Sequence, residues 1–397
     1  MNMKLTRTIK LKLNISPAEI KPTLEAYTTA FNYVCQMGWR EGDFNGVSLH
    51  HKTYQATRSY LPSQLAISAR MKATEALKSA RDRLKKQENV SCPQSKLCAV
   101  RYDARSYNVW FERNEVSLLT VDGRKKFPII VPAYFKQYLD WRRTTTDLFL
   151  RKNGVFLHIV FEQEISDVPL TGEVVGTDRG INNIAVTSNN QFFGGGHIKH
   201  VSRRYEKLRT KLQSCGSKSA KRHLRKLSKK ENRFRADVNH VVSKHIIQSM
   251  QPGNVIVLED LKSIRQTSRL RKKQRKQLHK WNFFQLQQFL TYKAEAKGIR
   301  IDYVDSRYTS QKCSVCGYTS RSNRTSQAIF KCKHCGFSLN ADLNASRNIR
   351  QNYLDATGYP GRVVVNQPIV VSNEAKGSLR ATAVEFNYKP PSLDGGS

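Results

Sequence analysis

Acidic residues are scarce in this chain. Its 397 residues hold 31 Asp and Glu against 68 Lys and Arg, a formal net charge of +37. A surface this basic repels itself unless it meets an anionic partner. Nucleic acid is the natural one, because each neutralised phosphate releases a counterion. Long hydrophobic runs are missing too. Stretches such as Val255 to Leu258 fall far short of a membrane span. The basic stretches lack a lipid-facing side, which argues against a membrane surface as partner. The first residues alternate Lys4, Arg7 and Lys10 with apolar neighbours and form no signal-peptide core. That pattern predicts a cytoplasmic protein. There are no internal repeats. Apolar residues make up 39% and charged ones 25%, enough for two or three domains with real cores.

Cysteine is present in an informative pattern. Cys35, Cys92, Cys98 and Cys215 are scattered, while Cys313-x2-Cys316 and Cys332-x2-Cys335 are paired and fifteen residues apart. Each CxxC makes a tight knuckle, so four thiolates can meet tetrahedrally around Zn²⁺. Gly317 and Gly336 follow the two pairs and let the backbone turn back on the metal. Four thiolates close the coordination sphere, so this zinc is expected to be structural.

Residues 4–13 alternate apolar and basic side chains and predict a half-exposed strand. Ser16-Pro17 opens a helix running to about Gly38, and residues 52–88 are expected to be helical, with a long run starting at Pro62. From about 97 to 165 the pattern turns to strands, in NVWFERNEVSLLTV, KFPIIVPAYF and GVFLHIVFEQEI. This describes a barrel-like module, residues 1–15 and 97–165, interrupted by a helical insertion over 16–96. Residues 166–172 form a linker. An alternating series follows, with strands at EVVGTDRG, NNIAVTS, QFFGG, NVIVLE and IRIDYVD. Its helices fall at 201–250, broken near 214–217, and at WNFFQLQQFLTYKAEAKG. Such alternation indicates an α/β layer. The tail from 352 balances four basic residues with four acids, so the excess charge lies before it. We expect the tail to be disordered.

Three carboxylates stand out. Asp178 ends the apolar run 174–177, Glu259 ends the run 255–258, and Asp342 lies in NADLNASRN, a helix start. A carboxylate at the end of a buried strand is costly unless compensated. Two strand ends and a helix start of one α/β sheet can bring three acids to a common edge. Hard oxygen ligands there suit Mg²⁺ or Mn²⁺. Two such ions would activate a water and stabilise the leaving oxygen in phosphodiester hydrolysis.

In order, GTDRGINNIAV, VIVLEDL, TSQKCSVCG…FKCKHCG and NADLNASRNI resemble the RuvC-type nuclease motifs of the TnpB family. These are transposon-encoded relatives of the compact type V CRISPR effectors. The resemblance is dense over 174–350 and looser before it. It implies an α/β RNase H-like (RuvC-type) nuclease domain over 173–307 and 337–351, with a zinc-binding loop inserted at 308–336. It further implies an N-terminal β-barrel wedge domain with a helical recognition insertion. By the same resemblance Asp178, Glu259 and Asp342 are the catalytic ligands of Mg²⁺ (or Mn²⁺). Cys313, Cys316, Cys332 and Cys335 are the zinc ligands. The implied partners are a guide RNA and a double-stranded target DNA, in a prokaryotic cytoplasm and at the nucleoid when DNA is bound. The implied activity is cleavage beside a short target-adjacent motif. The alternatives are a compact type V CRISPR effector with the same chemistry and a guide-RNA-dependent DNA-binding protein with weakened cleavage. One position departs from the family: many relatives carry Arg four residues before the third zinc cysteine, where this chain has Ala328, and Arg324 is out of register.

The basic residues cluster. Residues 199–235 hold fifteen Lys and Arg against Glu206 and Glu231, among them Arg203, Arg204, Lys207, Arg222 and Arg225. Residues 262–280 hold nine and no acid, among them Arg269, Arg271 and Lys272. Both predict contacts with the backbone of an RNA scaffold or RNA–DNA duplex. Tyr54, Ser63 and Gln64, on or near the helix after Pro62, are candidates for reading base edges. The sequence carries no Tyr–His-hydrophobe-His signature and no serine recombinase motif that would support strand transfer.

Overall fold

The computed structural model of the chain describes residues 3–166, 168–261 and 283–359. The chain divides into two compact units, Met1–Ser166 and Asp167–Ser397, with the break inside the expected linker.

In the first unit the strand β1 (Met3–Leu13) is followed by three helices, α1 (Pro17–Glu41), α2 (Gly46–Arg58) and α3 (Ser63–Lys85). The start of α1 is fixed by a capping box in which Ser16 and Glu19 satisfy each other's backbone amides. The expected single helical stretch begins earlier, at Gly46, because Asn45 caps α2, and Pro62 separates α2 from α3. The strands follow as β2 (Val100–Tyr102), β3 (Tyr107–Trp110), β4 (Glu115–Thr120), β5 (Gly123–Pro128), β6 (Arg142–Arg151) and β7 (Gly154–Ile165). β1 pairs antiparallel with β7 along its full length, so the helices are inserted between the first strand and its distant partner.

The first sheet has the order β1-β7-β6-β2 and the second β3-β4-β5; one bridge, Leu13 to Ile129, links them. Among the described residues β1 and β2 remain edges, so the ladders do not close on each other. One core joins both sheets to the helices through Leu11, Tyr27, Leu65, Leu118 and Phe161. Two strand assignments change. The VPAYF segment is not a strand: Ala133–Tyr138 forms a 3-10 turn after Pro132, which has no N–H to give a ladder. Residues 142–151, whose polar first half hides the pattern, form β6.

The second unit is built on a five-stranded sheet of order β10-β9-β8-β11-β12. Its strands are β8 (Val174–Asp178), β9 (Asn183–Thr187), β10 (Phe192–Gly194), β11 (Val255–Glu259) and β12 (Arg300–Val304). β8, β11 and β12 run parallel, β9 pairs antiparallel with β8, and β10 pairs antiparallel with β9. The two central strands, β8 and β11, are buried on both sides, as their apolar runs require. Val175, Ile256 and Leu258 face a core shared with α5 (Lys218–Gln248) and α6 (Phe283–Ala296). Val174, Val255 and Val257 face Ile349 and Tyr353 of α7 (Ala341–Thr357). Residues 352–357, expected in the disordered tail, are thus the last turns of α7, anchored by the buried Tyr353. α4 (Gly196–Cys215) and α5 form a long hairpin broken near the expected place. Glu231, buried in α5, is clasped by Arg209 of α4 and Arg235 of its own helix.

Candidate active site

Parallel pairing places the first two acids. Leu258 of β11 lies opposite Thr177 of β8, and Glu259 and Asp178 come one residue later at the same carboxyl edge. Open α/β sheets form their binding crevices at this edge. The third acid arrives from α7. Asn340 caps that helix through Asp342 and Leu343 N–H, at 3.0 and 3.2 Å, and Asp342 falls in its first turn. Asp178, Glu259 and Asp342 all line one open cleft of about 320 Å³.

Each carboxylate has a distinct setting. Asp178 has its pKa raised well above the ordinary carboxylate range, first by burial and then by Glu259 and Asp342. Burial also raises Glu259, against the Thr309 hydroxyl that donates to its Oε1 at 2.5 Å. Asp342 Oδ2 accepts from Asn183 Nδ2 at 2.9 Å, and its Oδ1 meets Arg324 Nη2 at 3.3 Å. The buried Arg179 donates to the Glu259 carbonyl at 2.5 Å and to Gln287 Oε1 at 3.2 Å. Its guanidinium supplies positive charge near Glu259 and Asp178. Among the described residues, the four cysteine sulfurs are the one set of three or more candidate ligand atoms all within 4.8 Å of one another. The carboxylates share the cleft on a wider spacing, with Asp342 held toward Arg324 and Asn183.

Arg179, Asn183, Thr309 and Arg324 are the residues that sequence reasoning left without a role. Arg179 and Asn183 sit inside the GTDRGINNIAV motif, so position alone could have flagged them. Thr309 and Arg324 come from a loop whose path the sequence does not give. Counting back four residues from Cys332 reaches position 328 and passes over Arg324. Arg324 lines the cleft together with Arg179, whereas Ala328 is exposed and uses its carbonyl to accept from Ala341 N–H at 2.9 Å.

The cysteines meet as their spacing requires. Cys313 and Cys335 sulfurs are 3.8 Å apart, and those of Cys316 and Cys332 3.6 Å apart. Zn–S bonds of about 2.3 Å give a tetrahedron with edges of about 3.8 Å, so the set fits a four-thiolate zinc. Gly317 and Gly336 both take φ of +75°, closing the two knuckles. The hairpin of β13 (Ile329–Lys331) and β14 (Ser338–Asn340) leads directly into α7. Two buried asparagines of α7 hold the other arm of the loop. Asn344 accepts from Ser314 N–H and donates to the Lys312 carbonyl, and Asn348 donates to the Thr309 and Lys312 carbonyls. The metal loop is therefore tied to Thr309 and to the helix that carries Asp342.

The candidate nucleic-acid residues are dispersed. Arg203, Arg204 and Lys207 on α4 and Arg222 and Arg225 on α5 are all exposed on the hairpin. Tyr54 on α2 is half-buried, with its ring 4.6 Å from that of His50. Ser63 and Gln64 are half-buried at the start of α3, and Gln64 Nε2 already donates to Asp103 at 2.9 Å. Arg269, Arg271 and Lys272 lie outside the described residues.

Two family models match this chain. One, described as "Probable transposase", covers residues 158–265, and the other, a Cas12f1-like TNB domain, covers 283–349. The chain is 35% identical over 220 residues to the CRISPR-associated endodeoxyribonuclease Cas12f1 of Sulfoacidibacillus thermotolerans, across 50% of each chain. It is 32% identical over 163 residues to a TnpB-like protein of Methanocaldococcus jannaschii, across 41% of this chain and 58% of that one. It spans about half the length of the curated relatives it matches. A cryo-EM structure of a Cas12f1–sgRNA–target DNA complex has a similar fold, with a TM-score of 0.56 at 16% identity over 83% of this chain and 80% of that one. Over the second unit the chain is therefore similar to TnpB-like proteins and to Cas12f1 endodeoxyribonucleases, with which it shares its fold.

Proposed function

We propose that this chain is an RNA-guided DNA endonuclease of a transposon, cutting double-stranded DNA beside a short target-adjacent motif. The observation that carries this reading is the placement of Asp178 and Glu259 at neighbouring carboxyl ends of parallel strands, facing one cleft with Asp342. Asp178, Glu259 and Asp342 would hold Mg²⁺ or Mn²⁺. When bound, a pair of such ions supplies an activated water and stabilises the leaving oxygen. The protein's own groups prepare that chemistry. Thr309 fixes one oxygen of Glu259. Arg179 offsets the charge of the buried acids. Arg324 and Asn183 hold the Asp342 carboxylate at the cleft wall, where the Arg324 guanidinium can meet a phosphate. The four cysteines would hold a structural Zn²⁺ that fixes the loop carrying Thr309 and Arg324. In this reading the first unit is the wedge and recognition part, with Tyr54, Ser63 and Gln64 near the adjacent motif. The basic residues of α4 and α5, with Arg269, Arg271 and Lys272, line the path of the nucleic acid backbone. The setting is the prokaryotic cytoplasm.

The matching Cas12f1 relatives favour one second reading, a compact type V CRISPR effector with the same chemistry. Purifying the protein co-expressed with its locus and sequencing the bound RNA separates the two. A structured RNA from the transposon end that runs into a variable guide supports the first reading, and a CRISPR RNA the second. Random cellular RNA would remove both. Asp178→Ala should abolish cleavage while leaving guide-dependent DNA binding intact; persistent cutting would rule out the triad.

A further inference from the structure

The first unit holds another cleft, a basic one, whose lining carboxylate is already bonded elsewhere. Between the turn that leads into α2 and the flank of α3 lies an open cavity of about 670 Å³, lined by Asp43, Phe44, Gly46, Arg70, Lys78 and Arg81 among others. Arg70, Lys78 and Arg81 are spaced by eight and three along α3, which puts them on one stripe of that helix.

Charge pairing around this cavity is uneven. Elsewhere in the unit the acids are spent on other cations: Glu41 and Asp43 on Lys52, Glu75 on Arg101, Glu88 on Arg83. Asp43 is the acid in the lining, and both of its oxygens are used. Its Oδ1 accepts from Asn45 N–H at 2.9 Å, and its Oδ2 accepts from Ser48 at 2.5 Å and from Lys52 at 2.9 Å. Among the described residues Arg70 and Lys78 have no carboxylate partner. The acid near Arg81 is its exposed neighbour Asp82, at 3.7 Å. Arg70 Nε and Arg81 Nε are buried atoms without hydrogen-bond partners. Burial also pulls the Arg70 guanidinium below its usual pKa. Lys78 and Arg81, three apart on the helix, repel each other as like charges do at that spacing.

Gly46 lets the turn approach these cations. A Cβ there would lie 2.9 Å from Arg70 Nη1 and 3.6 Å from Thr74 Cγ2. The backbone therefore closes against the guanidinium and forms one wall of the cavity. The amides at the start of α2 are already taken by the Asn45 side chain, so the three side chains supply the cavity's positive charge.

We propose that Arg70, Lys78 and Arg81 form a pocket for one backbone phosphate of a nucleic acid, distinct from the cleft of the three acids. Planar guanidiniums match phosphate oxygens in pairs, while a lysine serves as a point charge. Such a contact positions the strand without reading its sequence. The inference rests on the nucleic-acid-binding part of the proposed function and is independent of cleavage.

The test uses the full chain without added Mg²⁺ or Mn²⁺, so that cutting plays no part and the zinc loop stays loaded. Anisotropy of a labelled short DNA duplex of mixed sequence is measured over a range of salt. Lys78→Gln and Arg81→Gln should each weaken binding several-fold, equally for unrelated sequences, and lower the salt slope by about one. Lys78 is exposed, so its replacement leaves the fold intact. Lys85→Gln removes the same charge from α3 outside the cavity and should leave the slope unchanged. An unchanged slope in both pocket variants, or an equal drop for Lys85→Gln, overturns the pocket. Calorimetry with inorganic phosphate separates the two sources of the anion. Tight phosphate binding that the variants lose while their duplex slope is unchanged overturns the backbone assignment. A wild type that binds no duplex overturns that assignment and the proposed function together.

Discussion

Arg324 shows how a side chain can matter through position in space while failing a count along the chain. Counting back from Cys332 leads to Ala328, which is exposed and contributes a backbone carbonyl. Four residues earlier, Arg324 turns into the cleft, bonded to Asp342 and to the Gln327 carbonyl. Arg324→Ala should therefore slow cleavage by about tenfold or more, the scale of a lost charge-assisted hydrogen bond. Ala328→Arg should leave the rate nearly unchanged. Single-turnover cleavage assays with both variants decide it, and equal effects would return the role to position 328. Asp43 offers a test at the other end of the chain. Hydrogen bonds from Ser48, then Lys52 and the Asn45 amide, hold its pKa down to about 2. A depressed carboxylate pKa stabilises the folded form above the unfolded value, and that stability is lost as pH falls through the folded value. Asp43→Asn should thus lower the melting temperature at neutral pH, and the gap from wild type should close as pH falls from about 4 toward 2. A gap that stays constant would sink the assignment.

At the scale of elements, α7 is the piece that joins the sheet to the metal loop. It lies so close to β8 that a Cβ on Gly176 would come 2.1 Å from the Ser346 carbonyl oxygen and 2.6 Å from Arg350 N. Both contacts are backbone, so neither can swing aside. Gly176→Ala should destabilise the second unit by about 3 kcal/mol, at the upper end of overpacking costs. It should also push Asp342 away from Asp178. Denaturant unfolding measures the first effect and cleavage by the remaining folded protein the second; a neutral substitution would mean that helix and strand do not pack this closely. The zinc loop is coupled the same way, through Asn344 and Asn348 to the loop that carries Thr309. Metal analysis should find about one zinc per chain. Cys313→Ser with Cys316→Ser should release it and impair cleavage, although the three acids stay in the sequence. A wild type free of zinc would refute the loop reading.

At the scale of the whole molecule, the excess of positive charge is spread over both units. In the second unit it lies on the exposed faces of α4 and α5, which Glu231 clasps to each other through Arg209 and Arg235. In the first it includes the stripe of Arg70, Lys78 and Arg81 on α3. Charge spread in this way suits a partner that is long and uniformly anionic better than a small acidic ligand. The acid cleft is by contrast small and lies at one edge of one sheet. Binding and chemistry are therefore separable, and the tests of each do not depend on the other.

The sequence by itself determined much of this protein. Apolar runs ending in Asp178 and Glu259 marked two buried strands, and the burial of both faces of β8 and β11 follows from those runs. The CxxC pairs announced their own convergence, since each knuckle is a local structure. Net charge pointed to an anionic partner. Tertiary structure decided the rest. Only the parallel register of β8 against β11 brings the two acids to the same edge. Only the folded loop shows that Thr309 meets Glu259, and that Arg324 rather than residue 328 meets Asp342. Only packing shows which cations lack partners, as at Arg70 and Lys78. The reason is physical. Periodicity and knuckles are set by neighbours along the chain, whereas a contact across eighteen residues, or between α3 and the turn before α2, depends on a path that local spacing does not encode.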